Sequence, residues 1–289
     1  LGASKVSAPS VGGTINIVTR NLDAKKGGFL SYGMGNDGMN KILFSVSSGI
    51  TKNGWAFTLM GGKNWGNGYI QGTAFEGYNW FASISKRINE EHQLTLTAFG
   101  APQWHDQRNS SYGGLTIADW KMVETVYGVK DHKYNPTFGY RSNGESYNSY
   151  RNSYHKPLIS LNHQWQINSK SSLSTSLYVS LGRGSGFSGQ GNTEFSPYSY
   201  TSWRGAYKGT LYDTFRRSDG TFDYAAIEEI NRTSEYGSAL IAARSNNSHD
   251  WYGLLSTYTT KIGQYLDFYG GIDYRFYKGV HRLSLIHIS

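Results

Sequence analysis

From about residue 28 onward the chain alternates apolar and polar side chains with a period of two. In "SLSTSLYVSL" at 172–181, Leu173, Thr175, Leu177, Val179 and Leu181 fall on one side, and Ser172, Ser174, Ser176, Tyr178 and Ser180 on the other. Successive side chains of a strand point to opposite faces, so one face of this segment is apolar and the other wet. "HQLTLTAFG" repeats the pattern with Leu94, Leu96 and Ala98, and "PLISLNHQWQI" sets Ile159, Leu161, Trp165 and Ile167 against Ser160, Asn162, Gln164 and Gln166. In "YLDFYGGIDYRFY" the apolar side carries Leu266, Phe268, Ile272, Tyr274 and Phe276, while Asp267, Asp273 and Arg275 share the other. The polar face therefore tolerates charge. The pattern predicts nine strands, near 28–35, 40–50, 55–63, 78–88, 93–101, 157–167, 172–182, 250–262 and 265–277. At about nine to thirteen residues they match a tilted strand crossing a bilayer better than the usual soluble strand.

The connections sort by length. "TKNGW" at 51–55, "NEEH" at 89–92, "NSKS" at 168–171 and "KIGQY" at 261–265 are tight polar turns, the first with an Asn-Gly hairpin signal. Between them lie connections of growing length, at 64–77, 102–156 and 183–249. By parity the short "GNDGMN" at 35–40 belongs with these long ones. A closed outer-membrane barrel has short turns on one side of the membrane and long loops on the other. A β-sandwich alternates too, but its loops have no reason to sort by parity, and structureless soluble loops of such length are uncommon. Within the last long connection, Ala225, Ala226, Ile227 and Ile230, with Leu240 and Ile241 further on, read as a short external helix.

Composition sharpens this. The 289 residues include 36 Gly, 23 Tyr and 8 Trp, with only 38% hydrophobic residues, a poor recipe for a continuous soluble core. No stretch approaches the roughly 20 apolar residues of a membrane helix, which leaves strands free to cross. Cysteine is absent, so disulfides and thiolate metal sites are excluded and the redox compartment is unreadable. The net charge of +8 is spread singly, with only Lys25-Lys26, Lys86-Arg87 and Arg216-Arg217 adjacent, the distribution of solvated or lumenal charge and not of a nucleic-acid surface.

Several segments invite chemistry. His105 and Asp106 in "QWHDQR" lack the third partner that a metal site or an acid/base device needs, leaving a loop hydrogen-bond network or contact with an external ligand. Gln103, Trp104, Arg108 and Tyr112 share that reading. Between 132 and 157, Tyr residues interleave with Arg, Asn and Ser, including Tyr140 and Arg141. Aromatic faces beside amides and guanidinium groups hold sugars, catecholates or planar cofactors, but they equally form interfacial girdles. "GRGSGFSGQGN" at 182–192 lacks the Gly-Lys-Ser/Thr ending of a phosphate loop and reads as a flexible loop. No Ser-His-Asp set has recognisable context, so no catalytic residue, metal or cofactor is expected.

The opening stretch, "GASKVSAPSVGGTINIVTR", resembles the C-terminal end of the plug domain of TonB-dependent outer-membrane receptors, through Gly12, Gly13, Asn16, Ile17 and Thr19. The paired glycines permit a tight backbone path, and Thr14, Ile15, Asn16 and Ile17 suit a strand inside a polar lumen. "FGAPQWHDQR" at 99–108 is similar to a segment at the outer end of a strand in such receptors from Bacteroidota. "LSLIHIS" at 283–289 breaks the strand pattern and resembles a translated transposase end from sequencing-library preparation.

The resemblance implies a plugged barrel of about 22 strands. The expected fold class is thus all-β, a partial transmembrane antiparallel barrel of nine strands, with the plug end at 1–22, the N-terminal part of the barrel at 23–282 and a non-native tail at 283–289. It further implies a receptor in the outer membrane of a Gram-negative bacterium, in contact with its lipid. Such a receptor imports a scarce ligand, whether iron-siderophore, haem, cobalamin or glycan, with energy from a TonB-ExbB-ExbD complex that docks on a segment upstream of this chain. The candidate ligand contacts are Gln103, Trp104, His105, Arg108, Tyr112, Tyr140 and Arg141. An outer-membrane barrel hydrolase and a soluble β-rich carbohydrate-binding domain are the alternatives.

Overall fold

In the computed structural model the alternating segments become an antiparallel meander. Residues 25–108, 115–191, 215–235, 238 and 240–286 are described. The path runs through β1 (Gly27–Met34), β2 (Asn40–Ser47), β3 (Trp55–Gly66), β4 (Phe75–Arg87), β5 (His92–Gly100), β10 (Leu158–Gln166), β11 (Ser171–Gly191), β13 (Leu240–Ile262) and β14 (Leu266–Ile286), each pairing with the next. All nine expected strands are present, as part of an antiparallel all-β barrel wall.

Alternation places the two faces. Phe57, Ile84, Leu96, Leu161, Leu177, Leu254 and Tyr274 are successive cross-strand partners, and so are Val46, Leu59, Ala82, Ala98, Ile159, Val179, Tyr252 and Phe276. Two unbroken apolar rows thus cross the sheet. Their larger side chains are mostly exposed, Leu177 by 51% and Tyr274 by 64%, and the rest are half-buried. On the opposite face Ser85 is 0% exposed, Thr97 3% and Ser83 6%, paired as Ser83 Oγ with Thr97 Oγ1 at 3.1 Å and Ser85 Oγ with Thr95 Oγ1 at 2.9 Å. A soluble sheet hides its apolar face, because roughly 25 cal/mol is gained for each Å² of apolar surface removed from water. Here the small polar side is the covered one. Two hydroxyls that do fall among the apolar rows, Thr175 and Ser256, bond each other at 2.9 Å, as groups removed from water must.

The short turns share one end. Gly54, at φ 73, closes the Asn-Gly turn and accepts from the Arg87 N–H at 2.8 Å, while the Lys261 N–H donates to the carbonyl of Lys170 in the neighbouring turn at 3.1 Å. At the other end the remaining connections fold into a cap. It contains α1 (Ile117–Tyr127), β7 (Phe138–Tyr140), β8 (Ser146–Asn148), β12 (Phe222–Asp223) and α2 (Tyr224–Thr233), while β6 (Gln103–Asp106) and β9 (Arg151–His155) stay with the main sheet. A capping box of Thr116 with Asp119 starts α1, and Gly128 in the left-handed region ends it. Among the described residues the buried apolar clusters lie here, around Val123 and Tyr134, and around Phe215, Phe222, Tyr224 and Ile227 where Ala242 of β13 joins them.

Four stretches differ from the sequence-based expectation. The region 102–156 is not one loop, since β6 and β9 continue the sheet beyond Pro102 and Pro157. Phe99 opposite Leu158 and Gln103 opposite Tyr154 belong to one register, so the prolines, which lack an N–H, interrupt the ladder without shifting it. Residues 182–191 are strand, paired with 240–249. Their Gly and Ser content lowers strand propensity, but a Cβ on Gly182 would strike the His249 ring, so close pairing selects the glycine. Leu240 and Ile241 belong to β13, not to the helix, which ends at Thr233. Leu283 to Ile286 prolong β14 opposite Ala242 to Ser245.

Candidate functional site

Because β6 is a strand, the segment "QWHD" sends neighbouring side chains to opposite faces. Gln103 and His105 lie on the covered, inner face, and Trp104 and Asp106 on the face of the apolar rows. The inner wall near the cap is a row of amide, phenol and imidazole groups: Asn64, Gln103, Tyr154, Asn247 and His281 occupy one register line, with glycines 77 and 184 between them. Asn247 Oδ1 and His281 Nδ1 are 2.6 Å apart. One step towards the turns, aromatic rings gather. Trp251 meets Tyr178 edge-on at 5.8 Å and Tyr277 at 6.3 Å, and His249 stacks on Tyr277 at 5.7 Å with Nε2 3.2 Å from Ser180 Oγ. Flat faces beside amide donors and acceptors can stack and orient a planar or hydroxylated ligand.

The cap is held together by charge. Glu228, 8% exposed, accepts from Arg141 Nε at 2.5 Å and from the Ser142 N–H at 2.9 Å. Burial works to raise its pKa, yet the hydrogen bonds from Ser142 and the Arg141 guanidinium hold it below the usual carboxylate value. Arg108 Nη1 donates to the carbonyls of His132 at 2.9 Å and Tyr134 at 3.1 Å. Lys133 Nζ reaches Asp37 at 3.2 Å, tying the first outer connection to the second long one. Tyr224 is fully enclosed, and burial pushes its hydroxyl pKa well up; that hydroxyl donates to the Thr137 carbonyl at 2.5 Å.

The expected contact residues therefore separate. Gln103 and His105 reach the inner wall, where His105 Nε2 accepts from the Gln107 amide at 3.1 Å. Trp104 points outward beneath the Arg151 guanidinium at 4.1 Å, and Asp106 is clamped by Arg151 at 2.6 and 3.0 Å. Arg108, Tyr140 and Arg141 build the cap, with Arg217 lying 5.6 Å from the Tyr140 ring. Tyr112, like Gly12, Gly13 and Asn16, lies outside the described residues. Sequence reading passed over Tyr154, Asn247, His249, Trp251, Tyr277 and His281. Their signal was the same alternation, in "SHDWYG" and "RFYKGVH", once those stretches are taken as strand. Among the described residues no three His, Asp or Glu side chains gather as a metal site.

No protein-family model and no curated protein sequence matches the chain. Among solved structures it is similar to the closed form of the ferric-catecholate import receptor Fiu from E. coli K12, with a TM-score of 0.57 and 12% identity over 95% of this chain and 34% of that one. The chain thus spans about a third of that receptor's length, and the likeness is one of fold.

Proposed function

We propose that the chain is part of a TonB-dependent outer-membrane receptor that captures a scarce ligand on its inner wall beneath the cap and imports it. One observation carries the reading: Leu177, Phe57, Leu59, Tyr252 and Tyr274 of the apolar rows are exposed, Ser83, Ser85 and Thr97 of the opposite face are covered, and the described parts of the long connections fold at one end. That is the arrangement of a wall with lipid outside and water within. The fold likeness to an import receptor and the resemblance of Gly12, Gly13 and Asn16 to a plug terminus support the same reading. The plug would fill the polar lumen, and TonB-ExbB-ExbD would supply the pull through an upstream segment. Ferric catecholate, haem, cobalamin and glycan all present flat faces or hydroxyl and carbonyl groups suited to Tyr154, Asn247 and the Trp251 cluster.

The test is accumulation of radiolabelled candidate ligands by cells carrying the protein, with and without a protonophore. Binding should survive the protonophore while accumulation stops. Tyr154→Ala with Asn247→Ala should weaken binding roughly tenfold, the worth of about 1.4 kcal/mol. Accumulation that ignores the protonophore refutes the coupling, and unchanged binding in the double variant refutes the site.

A further inference from the structure

Two imidazoles stand on the face of the apolar rows at the short-turn end. On β10 Leu161 is followed on its face by His163 and Trp165, and on β5 Leu96 is preceded by Leu94 and His92. His163 lies opposite Leu94 and Trp165 opposite His92, so the two histidines meet along a diagonal. His92 Nδ1 and His163 Nε2 are 3.1 Å apart. The ring centroids are 5.3 Å apart and the planes lie 5° from parallel. Facing nitrogens at that distance take up all of the separation but a ring radius at each end. The rings therefore lie edge to edge, nearly in one plane, one donating and the other accepting. Trp165 stacks on His92 at 5.4 Å, and both histidines are half-buried. Ionisable side chains on a surface turned to lipid are costly and mark functional sites.

The spacing is that of two neighbouring ligands on one metal ion. Nitrogens held about 2.0–2.1 Å from a shared ion, at angles between square and tetrahedral, stand about 2.8–3.4 Å apart. Rotation of each ring about its Cβ–Cγ bond turns the two lone pairs from each other to a common point. The hydrogen between the rings moves to the far nitrogen of its own ring, so both imidazoles bind neutral, as metal-ligating histidine does. We propose that His92 and His163 hold one imidazole-preferring divalent ion, Cu2+ or Zn2+, with water in its remaining positions. Two protein ligands fall short of the three or four of a zinc centre, so the ion exchanges with solution. Its place gives it a role. At this end short turns join β4 to β5 and β10 to β11, whereas β5 and β10 are linked in sequence only through the cap. Their short-turn ends are held by the ladder and by the Gln166 N–H donating to the Glu91 carbonyl at 2.8 Å. An ion across His92 and His163 staples one hairpin to the next. It acts on the face opposite the inner wall and takes no part in capturing the imported ligand.

The experiment is Cu2+ titration of the protein in lipid vesicles at neutral pH, followed by electron paramagnetic resonance. One tightly held ion per chain should show hyperfine splitting from two imidazole nitrogens. His92→Gln and His163→Gln should each leave one imidazole and weaken the site at least about tenfold, the lower end of what even an outer-shell partner of a metal ligand is worth. His132→Gln, in the cap, should change neither spectrum nor affinity. Zn2+ bound across the folded pair should raise the urea midpoint of the parent and leave that of both variants unmoved. A parent spectrum with a single imidazole, unchanged affinity in either variant, or no shift of the parent's midpoint with Zn2+ overturns the site. The first and last of these are read on the parent alone, so a variant that fails to fold cannot rescue the proposal.

Discussion

Leu177→Arg separates a membrane wall from a soluble sheet by magnitude. Leu177 is 51% exposed and sits between Leu161 and Leu254 in the middle of an apolar row. On a soluble protein a half-exposed leucine replaced by arginine shifts stability by at most about 0.5 kcal/mol. On a lipid-facing strand near the bilayer middle the same change costs about 2–4 kcal/mol. Ser174→Arg is the control, three residues away on the opposite face. Its guanidinium would enter a polar lumen that already holds Arg275 and Asp273, so a cost below about 1 kcal/mol is expected, as at positions that meet water. Urea unfolding of both variants in lipid vesicles, followed by tryptophan fluorescence, reads the difference. A Leu177→Arg penalty below that of Ser174→Arg would refute the orientation of the whole sheet.

Glu228→Gln should loosen the cap by about 2 kcal/mol, the worth of charge-assisted hydrogen bonds, seen as faster amide exchange in α2 and β7 while β10 and β11 stay protected. Because Glu228 titrates below its ordinary value of 4.5, its contribution is complete above that pH and is lost as pH falls through the lower folded value. Exchange in the cap should therefore rise below about pH 4.5 in the parent and not in the variant. Arg151→Ala and Asp106→Ala should be coupled by about 1 kcal/mol in a double-mutant cycle, since the carboxylate is only 9% exposed, and additive effects would deny the clamp. Gly182→Val should cost about 1–3 kcal/mol of overpacking and free His249 from Ser180, which a shift in the His249 ring resonances would report.

Strand existence was legible because alternation is a local signal, and all nine expected strands appear, their ends at the short turns within a few residues. Their outward extent was not. Beyond Leu181 the apolar beat stops, and "GRGSGFSGQG" offers Gly, Ser, one Arg, one Gln and one Phe, yet it forms a ladder with 240–249 through backbone pairing that no single segment displays. The candidate site failed to cohere for a related reason. Choosing contacts as the contiguous run Gln103, Trp104 and His105 treats a strand as a loop, whereas the pleat puts Trp104 on the far side of the wall. Arg108 and Arg141 attracted attention as cations in an aromatic stretch, but their partners, the His132 and Tyr134 carbonyls and Glu228, are set by tertiary folding.

The pleat gives each strand two independent surfaces. On β11 the odd positions run Leu177, Val179, Leu181, Arg183, along the apolar rows and then to charge, while the even positions run Tyr178, Ser180, Gly182, Gly184 along the inner wall. A residue on one face reaches the other only through the backbone, so changes one position apart should act on different properties. Arg183→Gln should leave ligand binding unchanged, whereas Gly182→Val, which drives a side chain into the His249 ring on the inner wall, should weaken it. Were ligand affinity to follow Arg183, the register linking Arg183 to Leu181 and Leu177 on one face would be wrong.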